Sequence, residues 1–419
     1  MDEKQKLNAP PSFRWWMLIL NVLAYGQFFM TIQIPGAFSE YIITDLGISA
    51  TQIALFSTVA LALFAFTSTV GANMAAKLGL KKTVAIGIIV NIAGALLILL
   101  LGKSYFGYMV CRVIQGFSGG IIASSMLSST SLWFPIKQRA LASGILLGIL
   151  GVGFSIATFF APRMIAAGMT WQMGACLLTA IPGVIIALLY YVTAKAVSDM
   201  YPGYSAIAEM LPPVEQGNSP AVDIETLPRS MSEVTKTSKF WCTAFAGFAS
   251  GWLTYAFPAF LGGLLIQDLH IDSSAATAIL SATFFVTFVA SPLGGIISDN
   301  VFKGMRWQTV FIGNILTVVT LLILLRVQSG PLLSIVLMLA YGSVAMCTGP
   351  YWALPSEIVH PSVAGNSAGL INILANIGSL SVATVLAFVA SITGTYFVCL
   401  WICVIIAAIS AICMLRVRQ

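Results

Sequence analysis

Long apolar segments alternate with short polar segments along almost the whole chain. A membrane-spanning helix needs about 20 mostly apolar residues, and runs that stay apolar indicate helices because barrel strands would alternate over about ten residues. The pattern predicts twelve spans, numbered 1 to 12 in chain order, at residues 14–37, 52–75, 83–101, 104–128, 140–162, 172–194, 240–266, 273–297, 307–326, 331–353, 364–389 and 394–415. We therefore expect an all-α integral membrane protein.

The composition supports the same fold class. Only 8% of the 419 residues are charged and 58% are hydrophobic, whereas soluble domains are about 25% charged. These values exclude a soluble enzyme, a disordered chain and a disulfide scaffold. The net charge of +6 is scattered, unlike the basic stripe of a nucleic-acid-binding protein. The seven cysteines fall in apolar spans, where we interpret them as small hydrophobic side chains, and the sequence implies no metal and no cofactor.

The polar segment 195–239 divides the chain into two halves. It is rich in proline and mixes acids with bases, so we expect a linker between two six-helix bundles, residues 1–194 and 240–419. Basic residues favour the cytoplasmic side of a membrane. With both termini inside, 16 of the 20 basic residues lie in cytoplasmic segments. We expect a multi-pass protein of the plasma membrane, such as a bacterial inner membrane, with both termini cytoplasmic.

The two halves are similar to each other at an offset of about 225 residues. Residues 139–144 align with 364–369, Gly153 aligns with Gly378, and segment 76–79 aligns loosely with 299–304. The alternative is chance similarity between glycine-rich apolar helices. Three landmarks at nearly one offset favour two pseudo-symmetric bundles, an arrangement that suits a transporter moving one bundle against the other around a central site.

Two short motifs resemble those of a known family. The segment from Arg112 to Gly116 reads Arg-Val-Ile-Gln-Gly, which is similar to the Arg-x-x-Gln-Gly motif of the major facilitator superfamily. The loop after span 2 resembles that family's basic loop motif at Lys77, Gly79, Lys81 and Lys82. This resemblance covers essentially the whole chain and implies the major facilitator fold.

The loop motif departs from the family pattern in its first copy. Ala72 and Ala76 stand where the family usually has a glycine and an aspartate, whereas the second copy keeps both as Gly295 and Asp299. The resemblance implies that these loops act as cytoplasmic latches rather than as substrate ligands. The residues assigned to this gating role are Lys77, Gly79, Lys81, Lys82, Asp299, Lys303 and Arg306.

Further segments resemble carriers of organic anions. Residues 133–144 look like the junction of spans 4 and 5 in oxalate/formate and monocarboxylate carriers. Residues 349–355 and 372–378 are similar to spans 10 and 11 of organic anion:cation symporters. The chain lacks the basic residue that oxalate/formate carriers place on span 11 and the Asp-Arg pair that monocarboxylate carriers place on span 8.

Ionisable residues inside a membrane are costly, so each is a functional candidate. All 14 acidic residues lie at loops or span ends, and the two histidines, His270 and His360, lie in loops. The absence of a carboxylate within a span disfavours proton-driven export of cations. The absence of a buried acid, a nucleophile–base pair or metal ligands disfavours a membrane-embedded enzyme.

Arg112 is the one charge placed well inside a span, about 12 Å deep at 1.5 Å per residue. In the functional interpretation it attracts an anion, since its two-pronged donor geometry suits carboxylates. In the structural interpretation it hydrogen-bonds backbone carbonyls or Gln115 and holds spans 4 and 1 together. The sequence leaves both interpretations open.

The family resemblance implies that spans 1, 4, 7 and 10 line a central cavity. The candidate substrate-binding residues are Arg112, Gln115, Tyr25, Tyr341, Trp352, Asn372, Asn376, Trp252 and Tyr255. We expect a monomeric, lipid-embedded transporter of a small organic anion, most simply a monocarboxylate, with a counter-substrate or proton as the coupled partner. The alternatives are a carrier of neutral or lipophilic solutes with a structural Arg112, and a non-transporting membrane receptor or embedded enzyme.

Overall fold

A computed structural model of the protein describes residues 12–134, 136–195, 227–302, 305–354, 358–359 and 361–418. Twelve of its helices are long and apolar enough to cross a membrane, which confirms the predicted all-α, twelve-span architecture. The chain forms two compact units, Met1–Glu215 and Gln216–Gln419. The boundary falls inside the predicted linker, of which residues 196–226 lie outside the described part.

The first unit contains spans 1 to 6. Span 1 is Arg14–Ala37, and a short helix, Ser39–Leu46, follows it. Spans 2 to 6 are Ala50–Leu78, Leu80–Leu101, Tyr105–Trp133, Ile136–Ala166 and Trp171–Thr193. The short helix escaped prediction because it carries Glu40 and Asp45 in eight residues and so forms no continuous apolar run.

The second unit contains spans 7 to 12. A short helix, Met231–Val234, precedes span 7 and lies in what the sequence predicts as linker. Span 7 is Ser238–Gly263 with a π-helical turn at Leu264–Asp268, and span 8 consists of Ser273–Phe285, Thr287–Ile296 and a π-helical turn at Ile297–Val301. Spans 9 to 12 are Arg306–Leu324, Pro331–Ala353, Pro361–Thr393 and Phe397–Arg418.

Side-chain caps explain where several helices begin. The first amides of a helix lack intrahelical acceptors, and a Ser, Thr or Asp side chain can supply one. Ser49 caps span 2 by accepting from the amide of Gln52 at 3.2 Å, and the Gln52 side chain accepts in return from the Ser49 amide at 2.8 Å. Asp272 caps span 8 by accepting from the amide of Ser274 at 2.9 Å.

The aligned glycines Gly153 and Gly378 pack in the same way within their own units. A Cβ at Gly153 of span 5 would lie 2.6 Å from the carbonyl oxygen of Gly26 and 2.7 Å from the amide nitrogen of Met30. A Cβ at Gly378 of span 11 would collide with the carbonyl of Phe248 and lie 3.2 Å from the amide nitrogen of Trp252. Only glycine permits this backbone approach, so the repeat seen in the sequence corresponds to repeated helix packing.

The neighbour relationships of the spans also repeat. In the first unit, span 1 packs on span 5, span 2 on span 4, and span 3 on spans 4 and 6. In the second unit, span 7 packs on span 11, span 8 on span 10, and span 9 on spans 10 and 12. Each unit therefore has the same internal arrangement, which agrees with the predicted pseudo-symmetry.

Candidate functional site

Arg112 of span 4 lies completely buried inside the first unit. Its Nη1 donates to the carbonyl oxygen of Thr31 at 2.9 Å and to Oε1 of Gln115 at 2.8 Å. Longer contacts of 3.4 Å run from Nη2 to the carbonyl of Ile32 and from Nε to the carbonyl of Phe56. The guanidinium therefore joins span 4 to spans 1 and 2, the geometry that the structural interpretation requires.

The principal acceptor, Thr31, is available because of a proline. Pro35 lies inside span 1, and a proline has no amide hydrogen to donate to the carbonyl four residues earlier. That carbonyl belongs to Thr31. In hydrocarbon an unsatisfied backbone group costs several kcal/mol. Pro35 therefore leaves the Thr31 carbonyl without an intrahelical donor, and Arg112 supplies the hydrogen bond.

The positive charge of Arg112 has no carboxylate partner among the described residues. In the described part of the first unit the acidic side chains are Glu40 and Asp45, both in the short helix after span 1. Asp45 accepts hydrogen bonds from Trp171 and Gln172, each at 2.8 Å. Carbonyl dipoles solvate the guanidinium but do not neutralise it, so the first unit retains a buried net positive charge.

A network of buried amides and hydroxyls adjoins Arg112. Nδ2 of Asn91 donates to Oε1 of Gln27 at 2.9 Å and to Oγ1 of Thr31 at 3.2 Å. Nε2 of Gln27 donates to the carbonyl of Thr179 at 3.1 Å, so spans 1, 3 and 6 are joined. Asn91 and Thr179 are not among the site residues predicted from the sequence. The signal was the single amide in the otherwise apolar run of span 3.

Gln115 and Tyr25 lie in the first unit with Arg112, in different surroundings. Nε2 of buried Gln115 has no hydrogen-bond partner among the described residues, while its oxygen accepts from Arg112. Tyr25 is buried and packs edge-on against Phe29, with ring centroids 4.6 Å apart. Gln115 is therefore the candidate that directly contacts the guanidinium and keeps an unused donor.

Tyr341 of span 10 makes a contact in the second unit that corresponds to the Arg112 contact. Its hydroxyl donates to the carbonyl oxygen of Thr254 at 2.9 Å, and its ring is buried against Phe257 and Phe284. Pro258 lies inside span 7, four residues after Thr254, so this carbonyl also loses its intrahelical donor. Tyr341 is therefore a neutral side chain that donates a hydrogen bond to the carbonyl left without a donor by Pro258.

The other candidates of the second unit are spread over three spans. Trp252 is buried in span 7, where its ring packs on Phe248 at 5.7 Å, and Tyr255 lies three residues further along the same span. Trp352 at the end of span 10 is 43% exposed. On span 11, Nδ2 of Asn376 donates to Oδ1 of Asn372 at 3.3 Å on an exposed part of the helix.

A small cavity in the second unit was not predicted. Its volume is about 10 Å³ and it is lined by Ala246, Ser250, Leu253, Val310, Asn314, Val344, Cys347 and Tyr351. The hydroxyl of Tyr351 is buried without a hydrogen-bond partner among the described residues. A space of this size holds one water molecule, so the cavity is too small for an organic substrate.

The predicted latch residues lie at helix ends. Gly79 joins spans 2 and 3 with a φ of +83°, a conformation that glycine adopts without strain. Next to it, Lys77 and Lys82 are exposed, and Nζ of Lys81 lies 5.3 Å from the ring centroid of Tyr191. In the second unit Asp299 is exposed in the π-helical turn of span 8 and Arg306 is partly buried; Lys303 lies outside the described residues.

The two units have the same arrangement of spans, and comparison of the sequence with known protein families agrees with this arrangement. The sequence model of the Major Facilitator Superfamily matches residues 17–383, from span 1 into span 11. The chain belongs to this superfamily. The relatives found for this superfamily member are named transporters, and the protein is a transporter rather than an enzyme.

Several relatives with transporter names align over most of their length. The chain is 23% identical to the hexuronate transporter of Bacillus subtilis over 85% of this chain and 83% of the relative. It is 24% identical to a probable nitrate transporter of Staphylococcus epidermidis over 96% of both chains. It is 21% identical to a probable sulfoacetate transporter of Cupriavidus necator over 84% of this chain and 81% of the relative.

Proposed function

We propose that this superfamily member transports a small, singly charged organic anion, most simply a monocarboxylate, by alternating access. The observation that carries the proposal is the buried guanidinium of Arg112, which has no carboxylate partner among the described residues. A buried charge without a counter-ion is costly. An anionic substrate would supply the missing counter-charge whenever it occupies the transport site.

The contact made by Tyr341 supports a role for the charge itself. In both units a proline frees the carbonyl four residues earlier, and a side chain from span 4 or span 10 donates to it. In the second unit a neutral hydroxyl is sufficient. Holding the helices together therefore does not require a positive charge, and the charge of Arg112 calls for a further role.

The size of the electrostatic effect is adequate for substrate selection. At an effective dielectric of about 20, a singly charged anion about 8 Å from the guanidinium gains about 2 kcal/mol. This free energy corresponds to about 30-fold in affinity over a neutral analogue of the same shape. The guanidinium can therefore favour anions through its field while it keeps its hydrogen bonds to span 1.

Polar and aromatic side chains would complete the site. Gln115 presents a buried amide donor that no described residue uses, and such a donor suits a carboxylate oxygen. We assign hydrogen bonds and apolar walls to the remaining candidates, which are Tyr25, Trp252, Tyr255, Tyr341, Trp352, Asn372 and Asn376. The relatives named for hexuronate, nitrate and sulfoacetate support an anionic substrate.

The single buried arginine favours a monoanionic substrate, and the lack of a mid-span carboxylate in the described spans favours transport without proton coupling through the protein. One arginine would leave a dianion poorly compensated in a low-dielectric site. The described spans contain no mid-span carboxylate that could carry a proton, so we propose exchange or facilitated diffusion, unless the substrate carboxyl carries the proton. We place both termini on the cytoplasmic side because basic residues concentrate in the loops of that side.

Ligand-dependent thermal stability tests the substrate class. A ligand that binds only the folded state raises the apparent melting temperature by mass action. We expect purified protein in detergent to be stabilised by monocarboxylates and not by neutral sugars or amino acids. Stabilisation by neutral compounds alone would contradict the proposal.

A carrier of neutral solutes is the second candidate, and the hydrogen bonds from Arg112 to span 1 favour it. The two candidates differ in proteoliposomes that contain Arg112→Gln. Loss of anion flux with an intact fold supports the anion carrier. Unchanged flux of a stabilising solute assigns Arg112 a purely structural role.

A further inference from the structure

Spans 1 and 7 end in two segments of identical layout, which we call the arms. The first arm is residues 31–45 and the second is residues 254–268. Each begins with the threonine whose carbonyl the proline frees, has that proline as its fifth residue, and ends in an aspartate. The three landmarks, Thr31, Pro35 and Asp45, recur at an offset of 223 residues as Thr254, Pro258 and Asp268.

The far ends of the two arms are anchored through these aspartates. Oδ2 of Asp45 accepts from Nε1 of Trp171 and Nε2 of Gln172, which begin span 6. Oδ2 of Asp268 accepts from Oγ1 of Thr395 at 2.7 Å and from the amide of Tyr396 at 2.6 Å, just before span 12. Each arm is therefore tied to the last span of its own unit.

The near ends are held at the freed carbonyls. Arg112 holds the first arm at Thr31 and Tyr341 holds the second at Thr254. Between these attachments the arms differ in conformation, because the first breaks at Phe38 into a short helix and the second continues into a π-helical turn. The element that both arms share is the interrupted hydrogen bond at the proline, where helices bend readily.

We infer that Tyr341 is a positioning residue, whose hydroxyl sets the resting position of a hinge at Pro258. Residues 259–268 pivot as one piece about this hinge, and the aspartate anchor limits their travel. Arg112 sets the resting position of the corresponding hinge at Pro35 in the first arm. The inference concerns the conformational changes of the transporter and does not depend on which solute it carries.

Hydrogen–deuterium exchange of Tyr341→Phe tests the hinge. The substitution removes one hydroxyl and keeps the ring. We expect amide exchange in residues 259–268 to rise at least fivefold, the equivalent of one lost hydrogen bond, while residues 240–253 stay unchanged. The matched control is Tyr351→Phe on the same span, because that hydroxyl has no hydrogen-bond partner among the described residues. Unchanged exchange in the arm, or an equal rise throughout span 7, would overturn the inference.

Replacing the proline provides a second, independent test. In Pro258→Ala the new amide donates to the carbonyl of Thr254, so the hydroxyl of Tyr341 is no longer needed there. We expect residues 259–268 to exchange more slowly in Pro258→Ala than in the wild type, and Tyr341→Phe to have no further effect in that background. If Tyr341→Phe alone fails to fold, the double variant still decides the matter. Equal effects of Tyr341→Phe with and without the proline would show that the hydroxyl does not act through the hinge.

Discussion

The hinge of span 1 and the hinge of span 7 meet the same backbone requirement with different chemistry. In span 1 a charged guanidinium reaches the freed carbonyl of Thr31 from span 4, and in span 7 a neutral phenol reaches the freed carbonyl of Thr254 from span 10. Both side chains are buried. Both units therefore have a side-chain hydrogen bond to the freed carbonyl, but only the donor of the first unit is charged. The hydrogen bond and the charge of Arg112 can thus have separate roles.

The residues that cap spans 2 and 8 occupy matched positions and show the opposite distribution of charge. Ser49 caps span 2 and Asp272 caps span 8, again at an offset of 223 residues. Here the first unit has the neutral group and the second unit has the charged one. The Asp272 cap lies at a helix end, where water screens it, whereas Arg112 is buried. We therefore propose that solute selection depends on the buried charge of Arg112 and not on the exposed charge of the Asp272 cap.

Arg112→Gln should have the largest effect on the comparison of the two hinges. Removing the charge should weaken binding of a stabilising monocarboxylate about 30-fold, because the anion loses about 2 kcal/mol of Coulomb attraction. The measurement is ligand-dependent melting followed by flux in proteoliposomes. Arg163→Gln is the matched control, since that arginine is exposed in the same unit. Equal loss in both variants would argue against a specific role for the buried charge.

The aligned glycines test whether the two units pack equivalently. Gly153→Ala and Gly378→Ala should each destabilise the protein by about 1–3 kcal/mol, because a Cβ at either position meets backbone atoms. Apparent melting temperatures in detergent would measure the loss. Gly369→Ala is the control, since a Cβ there meets nothing within 4 Å. A destabilisation confined to one unit would break the equivalence.

Replacing the two anchoring aspartates by asparagine should lower the stability of the protein by different amounts. Asp268→Asn replaces charge-assisted hydrogen bonds by neutral ones and should cost about 1 kcal/mol. Asp45→Asn should cost less, because Asp45 is exposed and Asp268 is partly buried and exposed interactions are screened. Comparing the melting temperatures of the two variants checks this order. A larger loss for Asp45→Asn would mean that exposure does not set the strength of the anchors.

Replacing the helix caps Ser49 and Asp272 should change the melting temperature least among these variants. Only the effect of replacing Asp272 should depend on pH. Hydrogen bonds from the Ser274 side chain and backbone lower the pKa of Asp272. A lowered pKa stabilises the folded state above the ordinary carboxyl pKa, and the contribution disappears as pH falls through the lowered value. The melting difference between wild type and Asp272→Asn should therefore shrink from about pH 6 to about pH 3. For Ser49→Ala the difference should stay constant, and a pH-dependent difference there would contradict the assignment.

The span positions were predictable because membrane helices follow from local composition. Twelve apolar runs correspond to twelve membrane-spanning helices. Among the described residues, the sequence misplaced helix ends and did not predict the short helices Ser39–Leu46 and Met231–Val234. The single charge inside a span and the repeat offset were equally visible, since both need only the order of residues. Asn91 was overlooked because one amide in an apolar run has no meaning until its partners on spans 1 and 6 are known.

The sequence by itself determined twelve spans, two similar halves and the position of Arg112 well inside a span, because hydropathy and motifs are properties of the linear chain. Only the tertiary structure decided what Arg112 and Tyr341 contact. Their acceptors lie 81 and 87 residues away along the chain. Pro35 and Pro258 free those carbonyls locally, but the identity of the donor depends on which neighbouring helix packs against them. That choice is made by the packing of whole spans, which no local pattern encodes.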